Sequence, residues 1–183
     1  MDYREFYNLE NYLYERVNCA FQERGWLTAE EFFCIIIWKS NRAKSKVSAR
    51  LLNKGYKNLD DAVKVLTSGI GKLNTSEEKF IYMVSEWGFR LPITSAILTV
   101  LFPEDFTVYD YRVCESLGKY NELNRISSAR KLWKGYSEYL NDVRRRVPRI
   151  ASLRDKDRYI WGKSFYLQLK NDIDNCFGAK YGT

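Results

Sequence analysis

Helical spacing is the feature that most constrains the fold of this chain. Apolar residues recur three and four positions apart along most of the sequence, and no stretch alternates apolar and polar residues as a strand does. The first such face consists of Leu9, Leu13, Val17 and Phe21. Gly25 is predicted to end this helix. Residues 28–31 (TAEE) match a capping box and are predicted to begin the next one. The sequence therefore predicts an all-α fold.

The length of 183 residues fits one helical domain covering residues 1–183, built as one body or as two small lobes around a cleft. The most apolar segment, residues 32–38 (FFCIIIW), predicts a central buried helix. It is too short to cross a membrane, so no membrane partner is expected. The N-terminus lacks the basic start and apolar core of a secretory signal, which favours a cytoplasmic protein. The last residues, from Gly178, are expected to fray.

The complete absence of histidine excludes several classes of enzyme. Serine–histidine hydrolases, HExxH metalloproteases and histidine-ligated zinc deaminases all require it. The four cysteines lie too far apart for a metal clamp and are expected to be buried thiols, so no metal and no cofactor is expected. An enzyme built from this chain must use carboxylates, lysine, tyrosine, cysteine or backbone dipoles.

The net charge of +7 and the isoelectric point of about 9.2 favour an anionic partner. Basic residues cluster within residues 39–50, where no acidic residue intervenes, and again within residues 144–149. Residues 144–148 are predicted to form a basic linker. The first cluster is expected to form a polar turn after the apolar helix. Either cluster taken alone is also explained by a solvated face.

The stretch of residues 86–118 combines a tight hairpin, an apolar helix with Pro92 in its first turn, a broken loop and one acidic residue, Asp110. The predicted helix–turn–helix spans about residues 76–101. The exposed start of its second helix would offer free amides to a phosphate, and the hydroxyls of Thr94 and Ser95 would add donors. The alternative is an ordinary helical hairpin with Ser and Thr at a helix start.

The order of these features resembles the helix-hairpin-helix DNA glycosylase superfamily. Residues 90–92 (RLP) stand where the family has glycine–hydrophobic–glycine, residues 94–98 (TSAIL) match its second helix, and residues 109–113 (YDYRV) match the loop that carries its acid. The resemblance covers about residues 28–118. The chain also resembles a group of small proteins of unsettled function through residues 38–40 (WKS) and residues 153–158 (LRDKDR).

The resemblance implies a monofunctional enzyme that flips a damaged or modified base out of double-stranded DNA and hydrolyses its N-glycosidic bond, with Asp110 as the catalytic carboxylate. Thr94 stands where bifunctional members carry a Schiff-base lysine, so strand cleavage is not expected. Arg112 replaces the histidine after the acid. Arg90 and Pro92 replace hairpin glycines, which weakens the expected phosphate grip.

The same resemblance suggests the site residues. The base pocket is predicted to contain Trp38, Tyr109, Tyr111 and Trp161. The predicted DNA contacts are Lys39, Asn41, Arg42, Lys44, Lys46, Arg90, Thr94, Ser95 and Arg112. Each aromatic residue is individually explained as well by core packing.

Several alternatives stay open on the sequence alone. Asp110 could serve only as the cap of the helix that follows it. The chain could also be a non-catalytic helix-hairpin-helix DNA-binding protein or a helical protein-interaction domain. The substrate of an enzyme could be a repair lesion or a modified base of invading viral DNA, and a monomer is the working expectation.

Overall fold

The computed structural model describes residues 2–178, and it is all-helical, as predicted. Fraying was predicted from Gly178 onward, and of those residues only Gly178 lies within the described range. The α-helices within it are α1 Leu9–Tyr12, α2 Asn18–Arg24, α3 Ala29–Ser40, α4 Lys44–Leu52, α5 Leu59–Gly71, α6 Ser76–Ile81, α7 Leu91–Leu101, α8 Tyr111–Leu117, α9 Ala129–Arg146 and α10 Leu153–Asp174. Turns of π-helix at Leu13–Val17 and Tyr82–Glu86 follow α1 and α6, and short 3-10 turns lie at Tyr3–Tyr7, Asn41–Ala43, Asn121–Arg125 and Cys176–Gly178.

The helix ends are where local sequence signals placed them. Thr28 and Glu31 form both bonds of the capping box at the start of α3. Gly25 closes α2 in the left-handed region, with φ of 77°. Pro92 lies in the first turn of α7, and Asp110 is the N-cap of α8.

The most buried helix is α7, not the apolar helix α3. Every α7 residue from Thr94 to Leu101 is buried, and α3 packs against it. Helix α3 buries one face, with Phe32, Ile35 and Ile36, whereas Ile37 is exposed. Helix α3 thus packs on the core through one face, and the prediction that it is the central buried helix fits α7 better.

Two segments predicted as connections are wholly or partly helical; of the predicted linker, Val147 and Pro148 do connect α9 to α10. The basic segment after α3 continues as a 3-10 turn and enters α4 at Lys44 with no extended loop. Arg144, Arg145 and Arg146 form the last turn of α9, where cations stabilise the carbonyl end of a helix. Two of the cysteines, Cys19 and Cys176, are exposed, contrary to expectation.

An extended segment of residues 106–110 runs through the core between α7 and α8. We call it the crossing segment. Since extended chain inside a helical core has no neighbouring strand, its backbone groups need side-chain partners. The Tyr136 hydroxyl accepts from Thr107 N and donates to Thr107 O, and the Tyr139 hydroxyl donates to Val108 O at 2.8 Å. Ser95 Oγ accepts from Tyr109 N at 2.9 Å. These bonds fix the path that leads to Asp110.

Replacing Tyr136 with Phe should destabilise the fold. The change leaves the buried N–H and C=O of Thr107 without partners, which costs about 1–3 kcal/mol of unfolding free energy. Tyr166→Phe, at an exposed tyrosine, should change it by less than about 0.5 kcal/mol. Urea denaturation measures both. Equal stability of the two variants would contradict this role of Tyr136.

Candidate active site

A cavity of about 510 Å³ opens where the start of the chain, the end of α3, the crossing segment and the first half of α10 meet. Its volume is within the range of small-molecule sites, about 300–1,000 Å³. Its walls carry three aromatic rings, three cations and three carboxyl groups. The lining residues are Glu10, Tyr14, Trp38, Lys39, Val108, Asp110, Arg154, Asp157, Arg158 and Trp161.

Asp110 is held in this cavity by two bonds. Its Oδ1 accepts from Arg112 N at 3.0 Å, which caps α8, and its Oδ2 accepts from Lys39 Nζ at 3.0 Å. Lys39 Nζ also donates to Tyr109 O at 3.0 Å. The side chains of Lys39 and Asp110 are only 14% and 24% exposed. Asp110 is therefore both a helix cap and a fixed carboxylate at the cavity wall.

Asp157 is a second carboxyl group in the same cavity, supplied by α10. Burial raises its pKa from 3.8 to about 7; the Lys39 ammonium opposes this shift, and the carboxylates of Asp110 and Glu10 add to it. Near neutral pH this group is therefore divided between its acid and its carboxylate forms. Sequence reasoning missed it, because residues 154–158 have the charge pattern of a solvated helix face.

Unpartnered polar atoms concentrate at this cavity. Within residues 2–178, the buried side-chain atoms without a hydrogen bond of good geometry are Thr107 Oγ1, Arg154 Nε and Asp157 Oδ1, although the Thr107 hydroxyl lies close enough to the Asp157 carboxyl to lower its pKa. Arg154 and Asp157 line the cavity, and Thr107 adjoins the lining residue Val108. A buried polar atom without a partner costs about 1–3 kcal/mol, so native proteins keep few of them. Arg154 and Asp157 thus add buried polar groups to the cavity wall.

Another part of the cavity wall combines guanidinium groups with aromatic rings. The Arg154 guanidinium lies 3.5 Å from the centre of the Tyr14 ring. Glu10 Oε1 is 3.3 Å from nitrogens of both Arg154 and Arg158, which orients the two guanidinium groups. Trp38 meets the Tyr14 ring edge to face, with 6.4 Å between the ring centres. A planar ligand would meet aromatic faces and cations together.

The structure brings four of the predicted site residues to this cavity: Trp38, Lys39, Asp110 and Trp161. Tyr109 does not line it, since its side chain is buried in the core and donates to Tyr120 O at 2.7 Å. Tyr111 is exposed beside Arg112, outside the cavity. The prediction that these two tyrosines form the pocket wall does not fit their positions.

The predicted DNA contacts divide into exposed and buried residues. Asn41, Arg42, Lys44, Lys46 and Arg90 are exposed, and Arg112 is half-buried.

Thr94 and Ser95 are buried, and their hydroxyls donate to Phe89 O and Pro92 O, so neither is placed to bind a phosphate. Lys39 lines the cavity and pairs with Asp110, which separates it from the exposed basic residues that follow it.

The start of α7 offers few free amides. Pro92 has none, and the amides of Ile93 and Thr94 both donate to Arg90 O at 3.0 Å. The hairpin therefore has few backbone amides for the phosphate binding that was expected there. Arg50 lies against the hairpin instead, with Nη1 2.7 Å from the point that a Cβ on Gly88 would occupy. This places a second exposed guanidinium near Arg90.

No protein-family model, curated protein or solved structure matches the chain. The resemblance to helix-hairpin-helix glycosylases therefore stays a prediction. Among residues 2–178, no helix is long and apolar enough to cross a membrane. Over the same residues, no group of three or more acidic or thiol side chains is placed to hold a metal ion.

The raised pKa of Asp157 predicts a specific dependence of stability on pH. Between pH 3.8 and about 7 the folded protein binds a proton that the unfolded chain releases, so this group's contribution to the free energy of unfolding falls as pH rises. Asp157→Asn should remove that loss. Urea denaturation at about pH 5 and about pH 8 measures this. As pH rises from the first value to the second, the free energy of unfolding of the variant should increase relative to that of the unaltered protein.

Asp174→Asn, at an exposed aspartate that ends α10, is the matched control. It should follow the unaltered protein at both pH values. If Asp157→Asn also followed it, the shifted titration of Asp157 would be refuted.

Proposed function

We propose that this protein is a DNA N-glycosylase that hydrolyses the bond between deoxyribose and a flipped, damaged or modified base. One observation carries the proposal: the Asp110 carboxylate is fixed by Lys39 and by the start of α8 in a cavity walled by Tyr14, Trp38 and Trp161. A base in a duplex is out of reach, so its excision requires an aromatic pocket that accepts the extruded base.

The carboxyl groups of the cavity suit the hydrolysis of an N-glycosidic bond. Breaking the bond between C1′ and the base nitrogen leaves positive charge on the sugar, and a fixed carboxylate beside it stabilises that charge. Asp110 supplies the carboxylate. Its ion pair and its cap bond hold the group in place before the substrate arrives, so little reorganisation is needed during the reaction.

Asp157 supplies the proton. With a pKa of about 7, it is partly in its acid form at neutral pH and can protonate the departing base, which takes the bonding electrons. A water oxygen then forms the new bond to C1′, and the proton that it loses returns to the Asp157 carboxylate. The products are the free base and an abasic sugar. Asp110 and Asp157 thus divide the roles of charge stabiliser and acid, as paired carboxyl groups do when their environments differ.

The exposed basic surface supports binding to a nucleic-acid backbone. Arg42, Lys46 and Arg50 are exposed on the helical segment after the cavity residue Lys39, and Arg90 is exposed at the hairpin against which Arg50 lies. Such a surface predicts binding that weakens as salt rises.

A non-catalytic DNA-binding protein is the second candidate. It is favoured by the fact that both oxygens of Asp110 already have partners, which a purely structural aspartate would show as well. This candidate predicts salt-dependent binding without abasic product on any DNA.

Asp110→Asn should reduce base release by at least about 100-fold, because it removes the charge that faces the sugar. Asn still caps α8, since it is as good an N-cap as Asp, and folding is preserved. Base release and abasic sites are measured on single strands and duplexes with unmodified, damaged and hypermodified bases. Asp105→Asn, exposed on the loop before the crossing segment, should retain activity. Undiminished base release by Asp110→Asn would refute the mechanism.

The rate of base release should fall as pH rises through about 7, the pKa of Asp157, since only its acid form donates a proton. Asp157→Asn should be slower and should lose this limb of the pH profile. A pH profile that is the same in both proteins would remove Asp157 from the reaction.

A further inference from the structure

We propose that residues 158–171 of α10, together with the start of α8, bind unpaired nucleotides of a single DNA strand by stacking their bases on an exposed ring cluster. The ring cluster consists of Tyr111, Trp161 and Phe165, gathered around the guanidinium of Arg112. This proposal specifies that the nucleic acid is single-stranded. It rests on the proposed function only where it places one nucleotide in the cavity. Measurements of strand affinity test it without any measurement of base release.

The geometry of the ring cluster is that of a stacking surface. The rings of Trp161 and Phe165 are parallel within 7°, with centres 5.6 Å apart. The Arg112 guanidinium carbon lies 5.3 Å from the centre of the Tyr111 ring and 5.5 Å from each of the other two. Arg112 Nη1 also donates to Gln168 Oε1 at 2.6 Å, which ties the guanidinium to α10.

Core packing does not account for these rings. Tyr111, Trp161 and Phe165 are 54%, 41% and 43% exposed, so each presents about half of its area to solvent. Only Leu153 and Ile160 of the 22 residues of α10 are buried. Adjacent exposed rings of this kind mark a surface that meets a partner.

The surrounding charge indicates that the partner is anionic. Residues 158–171 contain no acidic residue and include Arg158, Lys163 and Lys170. Beside them, a cleft of about 410 Å³ is lined by Arg146, Arg149 and Lys163 and by no acidic residue. Among the ion pairs of residues 2–178, none involves Arg146, Arg149 or Lys163. Rings interleaved with cations are the pattern of single-strand binding surfaces.

This composition favours an unpaired strand over two other occupants. Bases in a duplex already stack on each other, so a duplex would gain only phosphate contacts from this surface. A second copy of the chain, docked through the same face, would bring Arg112, Lys163 and their neighbours against like charges. An unpaired strand satisfies the rings and the cations together.

The ring cluster is continuous with the candidate active site. Trp161 lines the cavity and also belongs to the ring cluster, and Arg112 follows Asp110 by two residues. A strand whose nucleotide enters the cavity would therefore place its neighbouring bases beside Trp161 and Phe165. Unpaired DNA also requires no base-pair opening before a base enters the cavity.

The test compares binding of a mixed-sequence single-stranded oligonucleotide with binding of the same sequence as a duplex, by fluorescence anisotropy at fixed salt. We expect tighter binding of the single strand. Phe165→Ala should weaken that binding by about 5- to 100-fold and leave duplex binding unchanged, because one stacking ring is lost. Phe165→Trp keeps a ring and should retain the affinity. Phe165 does not line the cavity, so the variant changes the ring cluster without replacing a residue that lines the cavity.

Tyr7→Ala, at an exposed tyrosine outside α10, is the control and should bind as the unaltered protein does. Single-stranded RNA of the same sequence shows whether the sugar matters. Equal or tighter binding of the duplex, or unchanged single-strand binding by Phe165→Ala, would overturn the inference. So would a dimer that Phe165→Ala dissociates. Single-strand binding without any base release would leave the inference standing and refute the glycosylase instead.

Discussion

The crossing segment is the part of the structure on which the candidate site depends. Extended chain inside a helical core is stable only if side chains satisfy its backbone, and here Tyr136, Tyr139 and Ser95 do so. Lys39 adds a bond to Tyr109 O at the cavity end. Helices α3, α7 and α9 thus all fix the position of one short segment. Asp110, the last residue of that segment, is held by the core although it faces a cavity.

Lys39 connects the two acids of the cavity. It pairs with Asp110 and opposes the rise in the pKa of Asp157, which burial and the Asp110 carboxylate produce. The two carboxyl groups come from distant parts of the chain and meet because α10 packs against α8. Asp110 is held by its ion pair with Lys39 and by its cap bond, whereas Asp157, with a pKa raised to about 7, retains a proton near neutral pH. This difference is what hydrolysis of a glycosidic bond by two carboxyl groups requires.

Local signals in the sequence predicted much of the fold, while tertiary packing decided most of the site. Caps such as Thr28, Gly25 and Asp110 act within one turn of helix, so their roles were predictable. Ser95 was predicted to bind phosphate because the start of the second helix was expected to be exposed, but Ser95 is buried and supports the crossing segment instead. Asp157 could not be found from sequence, since its neighbours are charged and only the packing of α10 buries its carboxyl group.

The central claim is that the Asp110 carboxylate stabilises positive charge on a sugar. Its most direct test does not require the base to be known. Affinity is measured for two oligonucleotides in which one deoxyribose is replaced, in one by a positively charged pyrrolidine and in the other by an uncharged tetrahydrofuran. If Asp110 has this role, the charged analogue should bind at least about 100-fold more tightly, as mimics of a transition state do. Asp110→Asn should abolish the difference. Equal affinity of the unaltered protein for both analogues would contradict it.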